Sequence, residues 1–359
     1  MKPAAGPGLN RRLLVGSALA LAACDGPMRS QAASPISPLS ILPLKDAAPF
    51  PIGTSVWAQH LEDPVLASLV AAQVSQLTPE FQMKMEYIVQ SDGTFRFEAP
   101  DAIANFAAAH SMRLHGHTLV WYAENPPAFE HLDETRGTFR SAYANYITAV
   151  VGRYRGQAKS WDVVNEAVSE DGSGWRDSLW SRRLGGLEHM RLAYELAHAA
   201  DPDAVLFLND YYLEKLPAKR ATFMKLAEAL LKAGAPLGGL GTQTHVDADL
   251  QPGEITAAIK DLASLGLPIH VSEVDISLAR VQGFRRPDLL KVSQRDLYAE
   301  IGRAFMALPA AQRWAVTFWS LRDKESWLVR DLPDDQPCLF DGMNQPKPAM
   351  LAFEAALRG

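Results

Sequence analysis

Two apolar stretches of this chain run into carboxyl side chains with no turn residue between. The first reads Ser160-Trp161-Asp162-Val163-Val164-Asn165-Glu166-Ala167. Its aromatic start and Val-Val centre have the character of a short buried strand, and it ends on an amide beside a carboxyl. The second ends Val271-Ser272-Glu273-Val274-Asp275-Ile276. Core strands seldom end on such groups, because each needs a partner or water. Glu166 and Glu273 are therefore read as a carboxyl pair at one mouth of a closed barrel. One such group, protonated, can give up a proton while the other, ionised, attacks.

The remaining polar clusters obey one positional rule. Strand-like segments fall at 50–56, 74–78, 112–120, 159–165, 204–209, 238–245, 268–275 and 314–319. Helical periods fall between them at 101–110, 138–154, 188–200, 218–233, 254–265 and 288–308. Eight strands alternating with helices predict an α/β chain folded as a single (β/α)8 TIM barrel. In such a barrel functional residues gather at the C-terminal ends of the strands. Glu80 and Lys84 follow the second strand, His115 and His117 lie near the end of the third, and Asn165 and Glu166 end the fourth. Asn209 and Tyr211, Gln243 and His245, Glu273 and Asp275, then Trp319 close the remaining four. The spacing of two in 115/117, 243/245 and 273/275 puts each pair on one strand face. No Gly-x-Gly-x-x-Gly or phosphate loop follows any strand, which disfavours a nucleotide-binding sheet.

The chain is 48% hydrophobic and 21% charged, with a formal net charge of −6, so it suits a large core and gives no footprint for nucleic acid. Residues 1–24 read as a leader. Lys2, Arg11 and Arg12 precede an apolar run too short to span a membrane, which ends Leu21-Ala22-Ala23-Cys24. That ending resembles a bacterial lipobox, so Cys24 is the expected lipidation site and the protein an exported lipoprotein of the bacterial cell envelope, touching the membrane only through that anchor. Residues 25–46, rich in Pro, Ser and Ala, read as a flexible tether before a catalytic domain at 47–358. With Cys24 lipidated, Cys338 has no partner for a disulfide within the chain.

Over about 47–358 the chain resembles glycoside hydrolase family 10, the retaining endo-β-1,4-xylanases. The matching blocks are Thr78-Pro79-Glu80 through Lys84, Gly116-His117-Thr118-Leu119-Val120-Trp121, Trp161 through Ala167, and Leu208-Asn209-Asp210-Tyr211. They continue with Gly241-Thr242-Gln243-Thr244-His245, Val271 through Ile276, Trp319 through Asp323 to Trp327, Leu339-Phe340-Asp341 and Gln345-Pro346-Lys347-Pro348-Ala349. The resemblance implies Glu166 as acid/base and Glu273 as nucleophile, acting on xylan or xylo-oligosaccharides with no cofactor or metal, in a monomer. Flat sugar faces would then rest on Trp121, Tyr211, Trp319 and Trp327. Glu80, Lys84, His117 and Asn165 would hold the hydroxyls. Gln243, His245 and Asp275 would orient Glu273, with His115 behind them, and residues 168–185 would form one wall. The chain departs from the family at Phe81, Met85, Tyr122 and Ser320, where Asn, Trp, His and Gly are usual.

Other readings of the same residues stay open at this point. His115, His117 and His245 could ligate a metal for hydrolysis, or the chain could capture oligosaccharides without cleaving them. Glu80 and Lys84 could simply pair with each other. Trp57, Trp161 and Trp314 read as packing residues. Asp162 and Asp210 read as anchors for backbone or arginine, and His60, His131, His189 and His198 as surface residues.

Overall fold

A computed structural model describes residues 41–130, 132, 137–283 and 286–358. The expected leader, Cys24, most of the expected tether and His131 lie outside the described residues. Eight parallel strands form the centre: β1 (Ile52–Val56), β2 (Gln76–Pro79), β3 (Arg113–Gly116), β4 (Ala158–Asn165), β5 (Val205–Asp210), β6 (Gly239–Thr242), β7 (Ile269–Ser277) and β8 (Arg313–Phe318). Each pairs with the next, and β8 pairs with both β1 and β7, so the sheet closes on itself. Closure removes every sheet edge and buries both strand faces, which is why β7 can hide all nine of its residues.

Helices cover the outside: α1 (Pro64–Gln73), α2 (Glu98–Ala109), α3 (Thr138–Arg153), α4 (Glu188–Ala200), α5 (Pro217–Lys232), α6 (Glu254–Ala263), α7 (Pro287–Met306) and α8 (Pro348–Arg358). Local chemistry starts them where the strands end. Asp63 accepts the Val65 N–H at 2.9 Å and Pro64 stands at the first helical position of α1, a cap and a preset φ together. Among the described residues no helix is long and apolar enough to cross a membrane.

The packing sets one strict spacing. A Cβ on Gly116 of β3 would lie 2.0 Å from the Trp161 ring of β4, so only glycine lets these strands meet over that indole. Trp161 is fully buried, as its packing role requires.

Four expectations need correction. The third strand stops at Gly116 and resumes only as the pair Val120–Trp121 beside β4, rather than running through 112–120. The sixth stops at Thr242. Thr244 takes φ +60°, and Val246 and its neighbours, His245–Asp247, pair instead with the end of β7. A left-handed residue breaks the strand's alternation, so period two does not link Gln243 to His245. The packed body also begins ahead of residue 47. Leu44 is fully buried in the short helix Leu44–Ala47, and its N–H donates to Gln73 at 3.1 Å. His189 is buried rather than on the surface, with Nδ1 2.8 Å from the Gly185 carbonyl oxygen.

Candidate active site

The C-terminal ends of the strands open into a cleft of about 550 Å³. Glu80, Lys84, His117, Trp121, Asn165, Glu166, Tyr211, Gln243, His245, Glu273, Trp319 and Trp327 all line it, so every residue expected to react or bind is gathered there. Asp275 and His115 lie behind the surface, fully or nearly fully buried.

Glu273 is held from both sides. Asn209 Nδ2 donates to its Oε1 at 2.8 Å, and His245 Nε2 stands 3.2 Å from its Oε2. Burial alone would raise the carboxyl's pKa, but His117 and His245 outweigh it and hold the group below its ordinary value. Asp275 accepts from His245 Nδ1 at 2.8 Å and from Trp327 Nε1 at 2.8 Å. Burial works against a charge on His245, yet Asp275 and Glu273 push its pKa up to about 10. The pair thus presents a cation to an ionised Glu273, the state a nucleophile needs.

Glu166 follows the last residue of β4 in the left-handed conformation, φ +57°, and its N–H donates to the Asn209 carbonyl at 2.8 Å. Its Oε1 accepts from Gln243 Nε2 at 3.0 Å and from Asn165 Nδ2 at 3.2 Å. The Gln243 side chain therefore orients the first glutamate, a correction to the expected role, and it meets Glu273 only through its carbonyl, which accepts the Glu273 N–H at 3.0 Å. Asn209 also donates to Asn165 Oδ1 at 2.9 Å, so three amides join the two carboxyls across the barrel.

His117 donates through Nδ1 to Asp162 Oδ2 at 2.8 Å, and His115 Nε2 lies 3.0 Å from the same oxygen. Asp162 thus anchors histidines, not backbone or arginine. Burial would raise its pKa, but the two rings hold it well below the usual carboxylate range. The His117 ring in turn meets Trp319 edge-on at 5.2 Å. The metal-hydrolase alternative needs His115, His117 and His245 around one point. Among the described residues the triads within metal-ligand reach are His115, Asp162, His270 and His117, Asp162, Glu273, and neither includes His245.

At the other end of the cleft, Lys84 Nζ sits 4.3 Å over the Trp121 ring, while Arg330 approaches Glu80 at 3.8 Å. Burial raises the Glu80 pKa against the pull of nearby Trp57, Lys84 and Arg330. Phe81 stacks on Trp57 with ring centroids 5.5 Å apart, so the family's usual amide is replaced by an aromatic pair that faces the cleft. Trp57 is consequently a lining residue and not only a packing one. Glu124, Tyr212, Arg280 and Arg330 also line the cleft; the first three come from loops and Arg330 from the short 3-10 turn Trp327–Arg330, where no period in the sequence points to them. Asn209 was visible as a polar strand end, but the two groups its amide nitrogen reaches lie 44 and 64 residues away. No residue of 168–185 lines the cleft; that segment buttresses Glu166 and Trp121 from behind through Arg176 and Trp180.

The sequence profile of glycosyl hydrolase family 10 matches residues 44–356. Endo-1,4-beta-xylanase B of Paenibacillus barcinonensis is 36% identical over 316 residues, covering 83% of this chain and 92% of that protein. Endo-1,4-beta-xylanase A of Cellvibrio japonicus is 33% identical over 351 residues, covering 88% of this chain and 56% of that one. Exoglucanase XynX of Acetivibrio thermocellus is 34% identical over 317 residues, 85% of this chain and 28% of the exoglucanase. This chain thus spans about half of one of these relatives and little more than a quarter of another. A solved family 10 structure from Paenibacillus barcinonensis superposes with a TM-score of 0.81 at 31% identity, over 88% of this chain and 97% of that one. A barrel whose fourth and seventh strands deliver two bridged glutamates to one cleft, matched along nearly its whole described length, belongs to glycosyl hydrolase family 10.

Proposed function

We propose that the chain is a retaining endo-β-1,4-xylanase acting on xylan or xylo-oligosaccharides, with Glu166 as acid/base and Glu273 as nucleophile. The observation that carries this is the amide bridge between the two carboxyls, which gives them different surroundings within one cleft. Glu273, ionised beside a cationic His245, attacks the anomeric carbon as Glu166 protonates the departing sugar oxygen. The bond to that oxygen breaks and a glycosyl ester forms on Glu273. Glu166, now a carboxylate, takes a proton from water, and the water oxygen displaces Glu273 with the original configuration restored. Asn165, beside the acid, is placed to hold the sugar 2-hydroxyl as charge develops on the ring.

Glu166→Gln and Glu273→Ala should each lower turnover on xylan by several orders of magnitude, about 10²–10⁴-fold for the acid/base alone. Circular dichroism should remain unchanged. More than a tenth of wild-type turnover in either variant removes that residue from the mechanism. NMR of the first-formed products should show the β-anomer. Digests of linear xylan, arabinoxylan, glucuronoxylan and mixed-linkage glucan, run in parallel, test the substrate; preferred cleavage of glucan would overturn the xylanase assignment. Activity lost to a chelator and restored by metal would favour the metal reading instead.

Export and anchoring through Cys24, with residues 25–46 serving largely as a tether, are a separate proposal that rests on the leader's sequence alone. Cys24→Ala should release the protein from membrane fractions, and unchanged partitioning would count against the lipobox.

A further inference from the structure

A buried ion pair lies behind the acid/base turn and takes no part in the double displacement as written. Asp210, the last residue of β5, and Lys219, in the first turn of α5, are both fully buried. Lys219 Nζ stands 2.8 Å from Asp210 Oδ1 and 3.2 Å from the centre of the Tyr211 ring. The second carboxylate oxygen, Oδ2, accepts the Val168 N–H at 3.0 Å, and Oδ1 also accepts the Tyr211 N–H at 2.9 Å.

Val168 is two residues beyond Glu166, whose left-handed backbone persists only where the surroundings over-determine it. Arg176 supplies one restraint, donating from Nε to the Glu166 carbonyl at 3.0 Å. Asp210 supplies the other through Val168. The loop itself is docked on the start of α5. Gly172 has φ +72°, and a Cβ there would fall 2.5 Å from the Lys219 backbone nitrogen. Thr222 Oγ1 donates to the Gly172 carbonyl at 2.6 Å. A fully buried ion pair adds little stability over apolar residues of equal volume, so its value lies in what it faces.

We propose that Asp210, neutralised from behind by Lys219, is the positioning residue for the acid/base. It fixes the turn from Glu166 to Val168 through the Val168 N–H and so aims the acid/base carboxyl at the leaving oxygen. The inference rests on the reading of Glu166 as acid/base. Burial pushes the Asp210 pKa up to about 6, with Lys219 opposing the rise and Glu166 adding to it. The other charged or titratable groups on this side are Lys219 of α5, Arg176 and Glu170 of the loop after β4, Tyr211 after β5 and Tyr122 after the Val120–Trp121 pair. Arg176 lies over the Tyr122 ring at 4.0 Å and donates to the Tyr211 hydroxyl at 2.8 Å.

Two variants test the anchor. Asp210→Asn leaves one acceptor oxygen where Lys219 Nζ, the Val168 N–H and the Tyr211 N–H converge; Lys219→Met keeps the stem and removes the cation behind Asp210. Each is compared with wild type on xylan, whose leaving sugar needs a proton, and on 2,4-dinitrophenyl β-xylobioside, whose leaving group does not. The value of kcat/KM on xylan should fall about 10–100-fold, while that on the aryl glycoside changes less than about threefold. The double variant should be no worse than Asp210→Asn. Equal losses on the two substrates would overturn the proposal and leave the pair a packing element. Should Lys219→Met prove insoluble, Asp210→Asn decides alone. Glu166→Gln is the reference. If it loses xylan but keeps the aryl glycoside, the acid/base reading holds and only the role of the pair is at stake; if it keeps both, the two readings fall together.

Discussion

Asn209 uses one amide nitrogen to reach both halves of the chemistry, Glu273 on one side and Asn165 on the other. Its own oxygen accepts from Ser272 Oγ at 2.7 Å, so the side chain has no freedom to turn. A hydrogen bond to a charged group contributes about 1.5–3 kcal/mol, and about 1.4 kcal/mol is a factor of ten in rate. Asn209→Ala should therefore lower kcat on xylan by about 10–100-fold. Steady-state kinetics alongside a melting curve checks this, since a loss confined to the melting temperature would make Asn209 a structural residue only. Serine, glycine or alanine in its place could not do the same work, because none offers two donors from one atom.

The meeting of β3 and β4 shows how an element's position depends on a missing atom. Gly116→Ala would force a methyl into the Trp161 ring, which is itself fully buried and has nowhere to move. The expected loss is at least about 1–3 kcal/mol, several degrees in Tm. Gly174→Ala, where nothing lies within 4 Å, is the control and should leave Tm unchanged. Equal melting temperatures for the two variants would show that the strands can part to admit the methyl. Because His117 follows Gly116 directly, a displaced β3 should also loosen the His117–Asp162 contact and lower activity further than the stability loss alone.

For the whole molecule, two buried clusters set opposite limits on pH. His245 has a folded pKa of about 10 against an ordinary 6.5, so the stability it contributes is complete below 6.5 and is lost as pH rises through 10. Asp162 is depressed below its ordinary 3.8, so its contribution is complete above 3.8 and is lost as pH falls further. Between about pH 3.8 and 6.5 these two contributions are constant, and Tm should change there only by the decline that Asp210 and Asp323, both raised to about 6, add as pH rises; it should fall further from about pH 6.5 toward 10, and fall again in strong acid. His245→Gln should flatten the alkaline decline, and an unchanged slope would place that loss in other groups.

Much of this was legible in the chain because β-strands end abruptly and polar residues there have few alternatives to a cleft. Glu166, His117 and Trp319 each stand one residue past a strand end and Glu273 lies within β7, and alternation with helical periods implied the barrel. What the sequence could not carry was the pairing of residues far apart in the chain. Whether Gln243 served Glu166 or Glu273 depended on a left-handed Thr244, and the partners of Asp162 and Asp210 depended on which side chains the barrel turned inward. A local pattern determines which residues reach the mouth of the barrel; only closure of the ring decides which of them touch, because a hydrogen bond is set by distances of a few ångströms between atoms that the chain order leaves unconstrained.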